Sequence, residues 1–353
     1  MNTIFWKDKK VLITGHTGFK GSWLAIWLHS MGAKVIGYAL DPYTEKDNFV
    51  LSGIGNNIVD IRGDIRDGEN LKKVFSEYKP EIVFHLAAQP LVRLSYEKPV
   101  ETYEINVMGT LHVLEAIRNT ESVKVGVMIT TDKCYENKEQ MRGYVETDPF
   151  GGYDPYSSSK GCDEILIASY RRSYFLDKEN HYTKAIASVR AGNVIGGGDW
   201  AKDRIVPDCI CAIEGKEPIF LRSPMAVRPF EHVLEPLSGY LLLAEKLWDN
   251  PNKYSEGWNF GPEESGLSKV IDVAEAIVEQ YGQGEIKTAI SDQNPHEAML
   301  LNLDITKAKT VLGWKPTLTC EDTIQLTVDW YKRYKTEKIY DVCVEQIEKF
   351  MSL

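Results

Sequence analysis

The chain has 353 residues, of which 43% are hydrophobic, and its formal net charge is −10. At this length we expect two domains, because compact domains average roughly 150 residues. The acidic balance disfavours binding to nucleic acid, and no stretch approaches the roughly 18 consecutive apolar residues that a membrane span needs.

The cysteines are scattered, with no C-x-x-C pair and no histidine at a metal-ligand interval, so reduced thiols and the absence of a metal site are expected. They are Cys134, Cys162, Cys209, Cys211, Cys320 and Cys343. The first ten residues lack the apolar core of a signal peptide. We therefore expect a cytoplasmic protein that does not enter a membrane.

Apolar runs rich in β-branched residues alternate with helical patterns through the first half of the chain. This alternation predicts an α/β fold, in which helices cover a parallel sheet. The predicted strands are Lys10 to Thr14, Lys34 to Tyr38, Ile58 to Arg62, Ile82 to Leu86, Val123 to Thr130 and Ala185 to Val189.

The pattern changes after Arg190. GNVIGGGDW, at Gly192 to Trp200, predicts a loop, and the segments beyond it are shorter and richer in proline. Trp258 to Gly261 predicts a strand that returns to the sheet. Ser268 is predicted to cap an amphipathic helix that ends at Tyr281.

Gly15, Gly18 and Gly21 follow the first strand at intervals of three. A tight turn that brings backbone close to a pyrophosphate needs positions without side chains, and the amides of the next helix favour phosphate. The pattern predicts a dinucleotide site, and the alternative is a glycine-rich turn without a ligand. Asp41 stands where a carboxylate accepts from a ribose 2′-hydroxyl and repels a 2′-phosphate, which favours NAD over NADP.

Tyr156 and Lys160 are four residues apart, so a helix places both side chains on one face. A phenol has an ordinary pKa of about 10, and a neighbouring cation favours the phenolate that acts as a base. Just before them, TTDKCY places Thr131, Asp132 and Lys133 after a predicted strand. The combination predicts redox chemistry on a hydroxyl group, followed by a further acid–base step.

These motifs resemble the short-chain dehydrogenase/reductase family, in its extended branch that acts on nucleotide sugars. The resemblance covers nearly the whole chain through GHTGFKG, GDIRD, HLAAQ, the helix around Asn106, TTDKCY, YSSSK, VRAGNVIG and LGWKP. Longer strings are similar to those of the 4,6-dehydratases that act on CDP-glucose: DKCYEN, GGYDPYSSSKG, GGGDWAKDRIVPD and RPFEHVLEPLSGYL.

The resemblance implies a doubly wound Rossmann domain for NAD over residues 1–190, completed by a segment near 228–262. Residues 191–353 would form a smaller, mixed α/β domain for the nucleotide sugar, interleaved with the first. The expected NAD-binding residues are Gly15, Thr17, Gly18, Phe19, Gly21, Asp41, Asp64, Ile65, Leu86, Ala87, Ala88, Gln89, Tyr156 and Lys160. The expected substrate-binding residues are Arg93, Asn193, Arg204 and Arg228, with Gln89 and Leu91 as further candidates.

The implied reaction converts CDP-D-glucose into CDP-4-dehydro-6-deoxy-D-glucose and water. Tyr156 would take the proton from the hydroxyl on carbon 4, Thr131 would bond the same oxygen, and Lys160 would hold the nicotinamide ribose. Elimination across carbons 5 and 6 then needs a base and an acid. Asp132 fits the acid, whereas Lys133 replaces the glutamate of the dTDP-glucose dehydratases, and is either the base or a fixed cation beside the enolate.

Two other functions fit the same motifs. A nucleotide-sugar 4-epimerase shares Tyr156 and Lys160 but needs no elimination pair, and a catalytically silent NAD-binding sensor needs neither group. The resemblance also implies a homodimer, through the helices around Asn106 to Arg118 and Tyr156 to Tyr174. It further implies a pathway role in supplying deoxy sugars for surface polysaccharide such as lipopolysaccharide O-antigen.

Overall fold

The computed structural model describes residues 2–177, 179, 181–263, 266–288 and 301–353. Its strands are β1 (Lys10–Thr14), β2 (Lys34–Ala39), β3 (Val59–Arg62), β4 (Ile82–His85), β5 (Val125–Ile129), β6 (Ala185–Ala191), β7 (Asn193–Ile195), β8 (Ile219–Leu221), β9 (Val227–His232), β10 (Gly257–Phe260), β11 (Leu267–Lys269) and β12 (Ile286–Thr288).

The α-helices are α1 (Thr3–Trp6), α2 (Phe19–Ser30), α3 (Asn48–Ser52), α4 (Gly68–Tyr78), α5 (Val92–Glu97), α6 (Pro99–Tyr103), α7 (Gly109–Arg118), α8 (Pro155–Tyr174), α9 (Ile205–Gly215), α10 (Leu234–Asp249), α11 (Pro251–Tyr254), α12 (Val270–Tyr281), α13 (Cys320–Arg333) and α14 (Ile339–Met351). Short 3-10 turns span Ile54–Asn57 and Asp132–Cys134, and π-helical turns span Glu104–Met108 and Ala308–Leu312.

A seven-stranded sheet forms the centre of the molecule, in the order β10-β6-β5-β4-β1-β2-β3. Every pairing in it is parallel. The six strands predicted for the first half are present with small shifts at their ends, and β10 confirms the predicted return of the chain to the sheet beside β6. The strand order reverses direction between β1 and β4, and such a switch point is where doubly wound sheets bind ligands.

The central sheet is covered on both faces, and alternate residues of its strands enter two separate apolar clusters. Val11 and Ile13 of β1 pack in the cluster that contains Trp23 of α2, whereas Leu12 packs on the other face with Val113 of α7. This alternation follows from the two-residue period of a strand. It fixes the register of β1, and therefore the position at which the glycine turn leaves the sheet.

The remaining strands form a small mixed sheet, β11-β9-β7, and the parallel pair β12-β8. The prediction of a continuous loop over Gly192 to Trp200 is wrong at Asn193–Ile195, because these residues pair with β9. Ser268 does not cap α12: its backbone pairs with Arg228 in the β11–β9 ladder, and the helix is capped at Lys269.

Among the described residues, no helix combines the length and apolarity required to cross a bilayer. Within those same ranges, no group of three histidine, cysteine or acidic side chains converges in a way that would hold a metal ion.

Candidate active site

A cavity of about 1330 Å³ opens where the central strands end, and it runs from the glycine turn after β1 to the loops that precede α9 and β9. Because neighbouring parallel strands end at the same edge, residues far apart in sequence meet here. The turn after β1, the 3-10 turn after β5 and the first turns of α8 all line it.

The glycine turn leaves no room for side chains at two positions. A Cβ atom on Gly21 would lie 2.1 Å from the carbonyl oxygen of Gly15, and Gly15 itself has φ +77°. α2 then begins after Gly18, which offers no side-chain cap to the first helical amides. These amides face the cavity, so the turn fits the pyrophosphate of a dinucleotide.

Asp41 and Asp64 line the same end of the cavity, which the sequence assigns to the adenosine. The Asp41 side chain is 88% exposed, and Nε of Arg62 lies 3.6 Å from its Oδ1 atom. A hydrogen bond from Arg66 lowers the pKa of Asp64, although partial burial opposes this shift. Asp41 therefore remains open to a ribose hydroxyl group, while Asp64 is already held by Arg66.

Tyr156 and Lys160 project from the first two turns of α8 into the buried part of the cavity. Asp154 caps this helix by accepting from the backbone amide of Ser157 at 2.9 Å, and Pro155 occupies the first helical position. Burial raises the pKa of the Tyr156 phenol, and the charge of Lys160 and the hydroxyl of Thr131 oppose that rise. The pair has the arrangement of a phenolic base with a cation that favours its ionised form.

Thr131, Asp132 and Lys133 follow β5 directly and meet Tyr156 across the cavity. The Thr131 hydroxyl donates to Oδ1 of Asp132 at 2.9 Å, and Oδ2 of this carboxylate is buried without a hydrogen-bond partner among the described residues. Burial raises the pKa of Asp132, and the positive charge of Lys133 opposes this rise. A buried carboxyl group with a raised pKa can hold the proton that a general acid needs.

A buried ion pair holds this turn in position. Arg190 of β6 binds both carboxylate oxygens of Glu164 of α8 at 2.8 Å. Thr130, which precedes the turn, donates to the same carboxylate at 2.5 Å. The end of β5 and the helix of Tyr156 are therefore fixed relative to each other by one fully hydrogen-bonded charge pair.

All but one of the residues that the sequence proposes for cofactor or substrate line this cavity. The exception is Gln89, whose side chain is buried away from it. The Gln89 amide donates to the carbonyl of Leu91 and the hydroxyl of Thr102, so it braces the loop after β4.

The predicted substrate residues also line the cavity. Arg204 is bound to Asp199 at 2.7 Å, and Nη1 of Arg93 lies 3.6 Å from Asp203. Arg228 and Asn193 lie on adjacent strands of the small mixed sheet. This concentration of guanidinium groups suits a diphosphate.

Three residues of the cavity region were missed in the sequence. Arg222 lines the cavity and is bound to Asp203, the partner of Arg93. Lys20 lies inside the glycine turn and also lines the cavity, and burial lowers its pKa against the opposing charge of Glu231. Burial raises the pKa of Glu231, whose two carboxylate oxygens have no hydrogen-bond partner among the described residues. The position of Lys20 between the glycines could have pointed to this pair in the sequence. Nothing near Lys20 in the sequence indicated Glu231 as its partner.

Comparison with known proteins places the chain among sugar-nucleotide enzymes. Residues 12–327 match the model of the GDP-mannose 4,6 dehydratase family. The CDP-glucose 4,6-dehydratase of Salmonella typhimurium is 47% identical over 351 residues, which cover 99% of this chain and 98% of that protein. The dTDP-glucose 4,6-dehydratase 1 of Escherichia coli is 27% identical, over 91% of this chain and 92% of that protein.

Two solved structures have the same fold. The Thermus thermophilus UDP-glucose 4-epimerase in complex with NAD has a TM-score of 0.77 and 26% identity, covering 91% of this chain and 98% of that chain. The Bacillus anthracis dTDP-glucose 4,6-dehydratase in complex with NAD has a TM-score of 0.76 and 23% identity, covering 95% and 99%. Both similarities extend over nearly the full length of the chain.

Proposed function

Because the chain belongs to the GDP-mannose 4,6-dehydratase family, we propose that it is an NAD-dependent dehydratase of CDP-D-glucose. The product is CDP-4-dehydro-6-deoxy-D-glucose, and one water is released. The choice of the cytidine nucleotide and of glucose rests on the relative of 47% identity, which is named for that substrate. The proposal that the reaction is a dehydration rests on the residues of the cavity.

A single observation supports dehydration over simpler redox chemistry. Beside Tyr156, the buried carboxyl group of Asp132 has a raised pKa and an oxygen without a hydrogen-bond partner in the described part of the chain. A dehydrogenase or epimerase has no use for such an acid. Elimination of a hydroxyl group needs an acid, because the hydroxyl leaves readily only as water, after it has been protonated.

NAD would lie along the glycine turn, with its adenine ribose at Asp41 and its nicotinamide at Tyr156 and Lys160. When bound, it would supply the hydride acceptor for carbon 4 of the sugar and, once reduced, the hydride donor for carbon 6. The chain supplies the remaining chemistry. Gly15, Gly18 and the first amides of α2 bind the pyrophosphate without any side chain between.

Proton transfers belong to the residues around carbon 4. Tyr156 removes the proton of the carbon 4 hydroxyl, aided by the positive charge of Lys160, and Thr131 bonds the same oxygen. The resulting ketone acidifies the proton on carbon 5. Because the carbon 5 proton becomes acidic only beside this ketone, oxidation must precede elimination. Asp132 then protonates the hydroxyl that leaves carbon 6.

Two roles remain open for Lys133, which lines the cavity next to Asp132. As a neutral amine it removes the carbon 5 proton and returns a proton to carbon 5 when carbon 6 receives hydride. A neutral amine with protonated Asp132 holds the same number of protons as a carboxylate–ammonium pair. As a permanent cation it stabilises the enolate oxygen, and water or another group takes the proton.

The diphosphate of the substrate is assigned to Arg93, Arg204 and Arg228, with Asn193 as a neutral donor. These groups all line the cavity, and Arg204 acts electrostatically on Tyr156. We divide the chain accordingly into a cofactor domain, residues 1–190 with 228–262, and an interleaved sugar-nucleotide domain over the rest of 191–353. The pairing of β10 with β6 supports the return of this segment to the central sheet at Gly257–Phe260, whereas β9 pairs with β7 and β11 in the small mixed sheet.

We further propose that the protein is a cytoplasmic homodimer that supplies deoxy sugars for surface polysaccharide. α5 and α6 pack against α8, and the exposed apolar side chains in this region include Tyr96, Val100, Met108 and Ile165. A second copy of this chain would cover them. Light scattering should give twice the monomer mass, and Ile165→Arg should reduce it to the monomer mass.

The decisive experiment compares CDP-glucose, UDP-glucose, dTDP-glucose and GDP-mannose as substrates, with mass analysis of each product. Loss of one water from CDP-glucose is expected, and deuterium placed on carbon 4 should appear in the methyl group of the product. An unchanged mass with inverted carbon 4 would identify a 4-epimerase instead. Absence of turnover with all four substrates would favour the silent sensor. Any activity of the wild type that Tyr156→Phe abolishes would exclude the sensor.

A further inference from the structure

The ammonium group of Lys160 has a buried counter-ion on its own helix. Nζ of Lys160 donates to Oδ2 of Asp163 at 3.0 Å, and the two side chains are only 3% and 1% exposed. The spacing of three residues puts both on one face of α8. Few ion pairs of the described chain are as deeply buried, and this one contains a residue of the proposed active site.

The groups around Lys160 leave Asp163 as its principal partner. Glu164 also acts on Lys160, but Arg190 already binds both oxygens of that carboxylate. His85 of β4 is hydrogen-bonded between the hydroxyls of Thr14 and Thr110, at 2.7 and 2.9 Å.

Burial lowers the pKa of His85 to about 3, and the charge of Lys160 also lowers it, so this imidazole stays neutral. Other described groups that act electrostatically with Lys160 are the phenol of Tyr156 on α8 and the ammonium of Lys20 on α2. Neither carries a permanent negative charge. The carboxylate of Asp163 therefore supplies the negative charge that Lys160 needs in this enclosed region.

Opposing effects meet at Lys160. Burial disfavours its charged form, whereas Asp163 and Tyr156 favour it, and the pKa of Lys160 lies above its ordinary value as a result. Burial raises the pKa of Asp163 to about 6, against the charge of Lys160, so the carboxylate is ionised at neutral pH. Ligands that fill the cavity would displace water and increase the cost of an unpaired ammonium.

We propose that Asp163 is a positioning residue that keeps Lys160 protonated and directs its remaining N–H groups toward the nicotinamide ribose and Tyr156. An ammonium has three donors, and the bond to Asp163 uses one of them. The other two are then held in a fixed direction. This inference rests on the proposed function for the sugar chemistry, but the contact of Lys160 with NAD applies equally to an epimerase or a sensor.

The test measures NADH binding by fluorescence from about pH 6 to about pH 10, a range that spans the titration of a perturbed lysine. The wild-type protein is compared with Asp163→Asn, which keeps the shape and removes the charge, and with Asp163→Glu. We expect Asp163→Asn to bind NADH like the wild type near pH 7 and to lose roughly tenfold in affinity by about pH 9, since one pKa unit corresponds to that factor. Asp163→Glu should restore part of the loss.

The matched control is Glu235→Gln, which removes another buried carboxyl group that does not line the cavity. It should leave the pH dependence of NADH binding unchanged. An Asp163→Asn profile that parallels the wild type, or one weakened equally at every pH, would overturn the proposal, because a purely structural carboxylate acts in that way. If the asparagine variant does not fold, Asp163→Ser provides the same comparison.

In Asp163→Asn, the decrease of kcat/KM for CDP-glucose at alkaline pH should begin at a lower pH than in the wild type. The two measurements separate the two proposals. NADH binding needs no sugar substrate, so a shifted binding profile without turnover of any nucleotide sugar would refute the proposed function alone. Normal dehydration with an unshifted binding profile would refute the role of Asp163 alone.

Discussion

The hydroxyl of Thr131 donates to Oδ1 of Asp132 over 2.9 Å, while Oδ2 of the same carboxylate is buried without a hydrogen-bond partner among the described residues. One bond therefore links the group assigned to the carbon 4 oxygen with the group assigned to the carbon 6 hydroxyl. It also orients the second carboxylate oxygen, which is the one left to carry a proton.

Replacement of Asp132 by Asn should stop the reaction after oxidation. The amide keeps the shape and can accept from Thr131, but it cannot deliver a proton, so elimination should slow by roughly 10²- to 10⁴-fold. NADH absorbance should accumulate on the enzyme together with a 4-keto sugar that retains its carbon 6 hydroxyl. Normal release of dehydrated product by this variant would remove Asp132 from the mechanism.

Lys133→Met should also leave NADH and the keto sugar bound, whichever role Lys133 plays. The two roles differ in exchange of the carbon 5 proton with deuterated water. Loss of the base abolishes this exchange, whereas loss of a fixed cation only slows it. Lys138→Met is the matched control, since Lys138 is exposed on the same loop and does not line the cavity.

The pH dependence of oxidation should follow Tyr156. The phenolate is the active base, so the rate of NADH formation should rise with pH up to the pKa of Tyr156. Thr131 lowers that pKa, and its replacement by Val should move the acidic side of the profile to higher pH. Tyr156→Phe should abolish NADH formation, and an unmoved profile in Thr131→Val would contradict the proposed contact.

Lys20 should stabilise the protein through Glu231. Burial raises the folded-state pKa of Glu231 above its ordinary value, so ionisation of this group costs stability as pH rises, and the charge of Lys20 reduces that cost. Because the folded-state pKa of Glu231 is about 8 and loss of Lys20 raises it further, Lys20→Met should lower the melting temperature increasingly above about pH 8, by an equivalent of roughly 3 kcal/mol once Glu231 is ionised.

The double variant Lys20→Met with Glu231→Gln provides the control for this pair, because it removes the charge that the single variant leaves unpaired. Thermal unfolding should regain most of the lost stability at alkaline pH. A single variant whose destabilisation does not change with pH would show that Lys20 acts by packing alone.

Arg228→Met should weaken substrate binding more than catalysis. A charge-assisted contact to a diphosphate contributes about 1.5 to 3 kcal/mol, so KM for CDP-glucose should rise roughly 10- to 100-fold with a smaller change in kcat. Arg172→Met is a suitable control, since this exposed arginine of α8 lies outside the cavity. Equal effects of the two variants on KM would exclude Arg228 from the substrate site.

Features that depend on residues close together in sequence could be predicted from the sequence. Gly21 is needed because of the carbonyl oxygen of Gly15, six residues earlier, and Tyr156 with Lys160 follows from the turn of one helix. The central strands were readable because their apolar, β-branched runs alternate with helices in a regular way. Even Asp163 stood within one turn of Lys160, although its spacing alone does not distinguish a buried counter-ion from a surface pair.

Tertiary structure decided the partners of groups that lie far apart in sequence. Glu231 acts on Lys20 because β9 packs beside α2, where His232 contacts Trp23. The Gln89 side chain is held away from the cavity by its hydrogen bond to Thr102. The sequence around Ser268 resembles a helix cap, but the backbone of Ser268 pairs with β9 instead. Local sequence sets backbone conformation through nearby atoms, whereas burial and charge pairing depend on which distant surfaces meet, and only the packed fold determines that.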